Sequence, residues 1–230
     1  MASTQLETIL HYATSHSVPE QSKAEIKLSY DVLRERAPCN FLVFGLGHDS
    51  QMWHAFNPGG KTLFLEEDLK WLGKVLHDAP FINGKYIKYR TQLKEADQLL
   101  KSYKFVPDCD PAKGVPLKEN DKCKLALNML PNEVYDTEWD VIMIDAPKGY
   151  FMDAPGRMAA IYSAAVMARN RKSSGGTHVY LHDVDRKTEK KYAEEFLCKK
   201  YLVKGEGRLW HFLIPSVVNS TVAVKPYAFD

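Results

Sequence analysis

Two short stretches place ionisable side chains at spacings that suit chemistry, IMIDAPKGY at 142–150 and YLHDVDR at 180–186. In each, an apolar run ends in a carboxylate. Asp145 closes the first, with Lys148 three residues on; Asp183 closes the second, with His182 before it and Asp185 after it. Carboxylates delivered to one end of neighbouring strands suit a divalent cation, which prefers oxygen ligands. Asp145 and Asp183 are thereby expected within reach of one cation. Such a cation polarises a substrate hydroxyl while Lys148 or His182 removes its proton, so Asp145, Lys148, His182 and Asp183 are the expected catalytic residues. Each acid taken singly is as well explained as the cap of a turn or helix; two acids and a lysine at one edge favour function. Arg157, a little further along, either clamps a carboxylate bidentately or is a solvated residue at a helix start.

A second constellation lies upstream, in FLVFGLGHDSQMW (41–53) and TLFLEED (62–68). Gly45 and Gly47 follow an apolar run, and glycine there allows positive φ and close approach of a ligand to the backbone. A plain tight turn is the competing reading. Glu66 and Glu67 end the next apolar run, where a carboxylate can accept both hydroxyls of a ribose. Alternatively they open the following helix, whose N-terminus favours negative charge. Ser50 interrupts the full G-x-G-x-x-G pattern, which disfavours a dinucleotide site and an oxidoreductase while leaving an adenosine site open. Trp53, beside the glycine turn, either lines a site or packs in the core. His48 and His54 lack a third partner for metal binding.

These residues need elements to position them. Helical spacing runs over 5–14 and 19–36, before the first apolar run at 41–45. A helix at 49–56, a strand at 61–66, a helix at 66–77, a short strand near 85–90 and a helix at 92–103 follow. After a Pro-, Asp- and Lys-rich inserted loop at 105–122 come strand 139–147, helix 154–170, strand 177–183 and helix 187–201. Two final strands, KYLVKGE and RLWHFLIP, are separated by a glycine-containing turn that predicts an antiparallel hairpin. Strands alternating with helices predict a mostly parallel sheet, in which ligands bind beyond the carboxyl ends of the strands. The domain expectation is N-terminal helices over 1–37, a catalytic domain over 38–215 and a tail over 216–230.

A chain of 230 residues supports one core. A formal charge of +2 is too small for the basic stripe of a nucleic-acid binder, so no nucleic-acid partner is expected. No stretch reaches the roughly 18 apolar residues of a membrane helix, and no signal peptide is evident; the chain reads as soluble. The four cysteines form no zinc pattern. Cys109 and Cys123 bracket the inserted loop, either as a disulfide or as separate thiols. A glycosylation sequon, Asn219-Ser220-Thr221, lies near the C-terminus.

The motifs quoted above, together with APGRMAAIYSAAVMARNR, EEFLCKKYLV and GRLWHF, resemble the plant DUF579 family throughout residues 8–214, and most of all its glucuronoxylan 4-O-methyltransferases. The resemblance implies a class I (Rossmann-like) S-adenosylmethionine-dependent methyltransferase fold: α/β, with a mostly parallel seven-stranded sheet and a C-terminal antiparallel hairpin. It implies methyl transfer from S-adenosyl-L-methionine to O4 of glucuronic acid on glucuronoxylan, during plant cell wall biosynthesis in the Golgi lumen. It also implies a probable divalent metal, and a membrane anchor preceding the catalytic domain, absent from this chain. Gly45, Gly47, Glu66, Glu67 and Asp145 become the expected donor-binding residues, and Arg157, Arg186 and Trp53 the expected acceptor-binding ones. A more distant similarity to catechol O-methyltransferase matches Asp145 and Lys148. There the next strand ends in Asp-Asn, both ligands, whereas Val184 follows Asp183 here; the third ligand falls to His182 or Asp185. A lumenal location favours the Cys109–Cys123 disulfide. The alternatives within the family are an arabinogalactan glucuronic acid O-methyltransferase and a non-catalytic xylan biosynthesis protein.

Overall fold

A computed structural model describes residues 2–216. Two helices, α1 (Ala2–Thr14) and α2 (Lys23–Arg36), lead into alternating elements: β1 (Asn40–Phe44), α3 (Ser50–Ala55), β2 (Lys61–Glu66), α4 (Leu69–Asp78), β3 (Gly84–Tyr86) and α5 (Ala96–Ser102). Beyond the long loop lie α6 (Asn132–Tyr135), β4 (Val141–Ile144), α7 (Met158–Arg169), β5 (Gly176–Leu181), α8 (Lys187–Tyr192), β6 (Leu202–Glu206) and β7 (Leu209–Pro215). The sheet order is β3-β2-β1-β4-β5-β7-β6. All neighbours pair in parallel except β5 with β7 and β6 with β7. This is the class I methyltransferase sheet that the sequence predicts, with its terminal hairpin. Strand order reverses between β1 and β4, so their carboxyl ends flank the crevice where such sheets bind ligands.

Helices cover both faces, which is why the strands read as unbroken apolar runs rather than alternating ones. Phe41, Val43, Phe64, Met143 and Tyr180 pack on one face with Leu33 and Leu72 of the N-terminal half. Leu42, Phe44, Leu63, Ile142 and Ile144 pack on the other, under the alanine-rich α7.

Local chemistry moves several boundaries from their expected places. The second helix starts at Lys23 because Ser22 and Glu25 form a reciprocal capping box. Asp68 caps α4 by accepting from the Lys70 and Trp71 amides, so α4 begins at Leu69 and Glu66 and Glu67 stay outside it. The expected helix over 187–201 is regular only to Tyr192; a π turn and a 3₁₀ turn follow, and Cys198 has φ of 66°. Leu6, Ile9 and Leu10, the expected buried stripe of α1, are each at least 64% exposed, while Thr8 is buried. The inserted loop holds short 3₁₀ turns and a Cys109–Cys123 disulfide. Arg90 fastens its end by donating to the carbonyls of Asn120, Cys123 and Ala126. Among the described residues no helix is long and apolar enough to cross a membrane. The sequon and the tail from 217 lie outside the described residues.

Candidate active site

A cavity of about 450 Å³ opens at the carboxyl ends of β1, β2 and β4, lined among others by Gly45, Gly47, Glu66, Asp145 and Lys148. Gly45 has φ of 122°, and a β-carbon there would lie 3.1 Å from the Ala146 Cβ. No other residue suits both that conformation and that closeness. Glu66 is 6% exposed, with Oε2 accepting from the Leu46 amide at 3.2 Å and Oε1 from the Asp68 amide at 2.8 Å. Burial, with help from the Glu67 charge, outweighs those hydrogen bonds and raises its pKa to about 7. Glu67 accepts from the Lys148 amide at 3.2 Å and so joins the β2 and β4 loops. The three acids after β2 thus divide into a buried cavity carboxylate, a loop tie and a helix cap.

Asp49 is a site residue that the sequence reading passed over. It lines the cavity two residues after Gly47 and accepts from the Trp53 Nε1 at 2.7 Å. Burial and the nearby Asp145 charge raise its pKa to about 6. The Asp49–Trp53 spacing is that of neighbours on one helix face, and this was the readable signal. Trp53 is correspondingly not an exposed sugar contact: it is 1% exposed, packs edge-on against Phe41 and Phe56, and holds Asp49. His48 packs against Trp71, and His54 against Phe81.

On the other wall, strand register decides the partnerships. Ile144 of β4 pairs with Leu181 of β5, so the next residues, Asp145 and His182, meet, with Oδ1 and Nδ1 2.9 Å apart. Gln21 Nε2 donates to Asp145 Oδ2 at 3.0 Å. Burial alone would raise the Asp145 pKa, but the His182 hydrogen bond and the Arg157 charge outweigh it and the net shift is downward. For His182, burial is likewise outweighed by its bond to Asp145 and the charges of Asp145 and Asp183, and its pKa is raised. His182 is 0% exposed and lies behind Asp145, away from the cavity lining.

Asp183 also lines the cavity, beside Asp145, but its carboxylate is already engaged by cations. It has φ of 61° and meets three guanidiniums: Arg157 at 2.8 Å, Arg186 at 3.0 Å and Arg208 at 2.7 Å. Arg157 is 5% exposed and also donates to the Asp145 and His182 carbonyls, at 2.5 and 2.8 Å. That arginine is a buried brace rather than a solvated clamp. Glu25 of α2 completes the rear wall by accepting from the Arg208 amide at 2.6 Å.

The ligand atoms of Asp145, His182 and Asp183 do lie within 4.8 Å of one another. Both Asp183 oxygens, however, face guanidiniums, and Arg157 also reaches Asp145 Oδ1 at 3.2 Å. A divalent ion there would sit against fixed positive charge, so in this arrangement the residues do not fit one. Asp185, the other expected ligand, is exposed and outside the cluster. Lys148 and Arg186 remain at the cavity wall with partly exposed side chains, Lys148 being 3.8 Å from Asp68.

A family model described as IRX15/IRX15L/GXM matches residues 24–212. Arabinogalactan O-methyltransferase 1 of Arabidopsis thaliana is 62% identical over 226 residues, covering 98% of this chain and 78% of that protein. Glucuronoxylan 4-O-methyltransferase 1 of the same plant is 49% identical over 210 residues, 91% of this chain and 73% of that protein. Protein IRREGULAR XYLEM 15, also from A. thaliana, is 39% identical over 224 residues, 94% and 68% of the respective chains. A solved methyltransferase-like protein from Silicibacter pomeroyi covers 86% of this chain and 89% of its own, at 16% identity and a TM-score of 0.48.

Proposed function

The chain belongs to the IRX15/IRX15L/GXM (DUF579) family, and from that premise we propose that it is an arabinogalactan O-methyltransferase acting on glucuronic acid residues. The methyltransferase assignment follows from the fold and the named relatives, and with it S-adenosylmethionine as donor and a plant polysaccharide as acceptor. The observation that carries the acceptor is 62% identity over 98% of the chain to an arabinogalactan enzyme. Glucuronoxylan, the acceptor expected from the sequence, is the second reading, supported by 49% identity to an enzyme of that name.

The donor fits the residues present: glycines that leave backbone open, a buried carboxylate at the end of β2, and Asp49 for a cationic group. When bound, S-adenosylmethionine supplies an electrophilic methyl on a sulfonium. Glu66 accepts from the ribose hydroxyls, and Asp49, fixed by Trp53, accepts from the methionine ammonium. Lys148 and Arg186 hold the glucuronosyl carboxylate, because the buried Arg157 is already spent on Asp145, Asp183 and the carbonyls of Asp145, Pro147 and His182. Asp145 takes the proton of the acceptor hydroxyl, with His182 orienting its carboxylate. Asp183 keeps Arg157 in place. Positioning the two reactants supplies the larger share of the acceleration, up to ~7–11 kcal/mol in well-oriented systems. The Cys109–Cys123 disulfide supports an oxidising compartment, in keeping with a Golgi lumen.

Labelled S-adenosylmethionine incubated with unmethylated arabinogalactan and, separately, unmethylated glucuronoxylan tests the proposal. Label should enter arabinogalactan preferentially. Preference for xylan would reverse the acceptor assignment, and transfer to neither would remove the enzymatic reading.

A further inference from the structure

The segment between β4 and α7 turns Tyr150, Phe151 and Met152 outward, 68%, 47% and 62% exposed. Consecutive large apolar side chains in water call for a partner, since exposed apolar patches with polar rims mark binding sites. Their backbone is firmly held. The Gly156 amide donates to the Lys148 carbonyl at 2.9 Å, the Ala154 amide to Phe151 at 3.0 Å, and the Lys94 amide to Met152 at 2.9 Å. Lys94 also pairs with Asp153 at 2.7 Å. At the base, Gly149 packs so closely on Glu189 that a β-carbon would come within 2.8 Å of its Oε1. The two rings meet edge to face, 5.2 Å apart at 70°.

This patch is continuous with the site. Tyr150 and Lys148 line the cavity itself. Lys148 also borders a shallow groove with Glu67, Lys70, Leu69 and Tyr86, the last two 60% and 42% exposed. A polysaccharide cannot lie within about 450 Å³ beside the donor; only the residue being methylated can enter, and its neighbours must cross the rim. Sugar rings present an apolar C–H face and a hydroxylated edge, the complement of an aromatic face flanked by charged side chains.

We propose that Tyr150 and Phe151 form a stacking platform for the sugar residues that flank the methylated one. It rests on the reading of a polysaccharide acceptor and selects polymer over short glucuronosides.

The experiment compares wild type with Phe151→Ala and the Tyr150→Ala/Phe151→Ala double variant in two assays. The first is retention in arabinogalactan-containing affinity gels without donor. The second is methyl transfer to arabinogalactan and to a glucuronic-acid-terminated disaccharide. The double variant should lose retention by ~10-fold or more, equivalent to about 1.4 kcal/mol. Its preference for polymer over disaccharide in kcat/KM should fall by the same factor, and Phe151→Ala alone should lower both while keeping the donor Kd. Phe151→Tyr, which keeps a ring at that position, should retain both. Unchanged retention and preference in the double variant, or an equal loss on both acceptors, would overturn the platform. Ring-dependent retention by a wild type that methylates neither acceptor would support the platform while defeating the enzymatic reading.

Discussion

His182 Nδ1 sits 2.9 Å from Asp145 Oδ1 because β4 and β5 run parallel with Ile144 opposite Leu181, so the first residue past each strand meets the other. Asp145→Asn should lower kcat by ~10²–10³-fold, within the range of lost general-base catalysis, and leave donor affinity within a few fold. His182→Gln acts through its neighbour. His182 helps hold the Asp145 pKa down, so losing it should move the acid limb of the kcat/KM profile to higher pH. An unmoved limb would refute the pairing.

Asp183 balances three arginines while only 5% of its side chain is exposed. Asp183→Asn keeps a residue type tolerant of positive φ and removes only charge. Loss of one member of a buried ionic cluster costs about 3–5 kcal/mol, which at this chain length lowers Tm by roughly 10 °C. A variant that kept its melting temperature and lost divalent-ion binding would instead mark Asp183 as a metal ligand.

A β-carbon at Gly47 would come within 2.7 Å of Asp49 Oδ1. Gly47→Ala should therefore shift Asp49 and weaken S-adenosylmethionine binding by ~10-fold or more, the loss of one charge-assisted hydrogen bond. Titration calorimetry reads this directly, and Asp49→Asn should match it. Full affinity in both would remove Asp49 from the donor site.

His178 and His211 face each other at 2.9 Å in the sheet, stacked with Tyr180. Burial lowers their pKa values to about 4 and about 3. Below about pH 6.5 the unfolded chain takes up protons that the folded one refuses, so stability falls with acidity by up to about 1.4 kcal/mol per pH unit for each histidine. Glu66 and Asp49, whose carboxyls burial raises to about 7 and about 6, gain stability as pH falls over the same window and oppose that loss. Between pH 6.5 and 4.5 the calorimetric Tm of wild type should therefore lose ground to that of His178→Gln. A Tm difference between wild type and His178→Gln that does not change over this window would contradict the assignment.

The Cys109–Cys123 disulfide spans 14 residues, a closure worth about 3 kcal/mol. Reduction, or Cys109→Ser with Cys123→Ser, should lower Tm by roughly 6–12 °C.

The carboxyl-end acids were legible because strands covered on both faces read as apolar runs, and the charge that stops each run marks the sheet edge. What lay beyond sequence was register. Nothing in YLHDVDR says that His182, rather than Asp183, meets Asp145. Arg157 read equally well as solvated, since its burial depends on carbonyls from two separate strand ends. Periodicity found the apolar stripe of α1, but which stripe a neighbour covers is fixed by α3, against which Tyr12 anchors the helix through the His48 carbonyl at 2.6 Å. The three acids of TLFLEED looked interchangeable until backbone amides sorted them.

Glu25 and Arg208, which join behind the cavity, stand 183 residues apart in the chain. On the ribosome the glycine turn, Glu66 and Asp49 emerge early, whereas Arg208 leaves only after almost the whole described sequence has been made. Domains fold as units, so Asp183 cannot gain its last counter-charge until Arg208 has emerged. Ordering of the acceptor wall is thereby tied to synthesis of the last strands: a product truncated before residue 208 would lack both that counter-charge and β7, which joins β5 to β6.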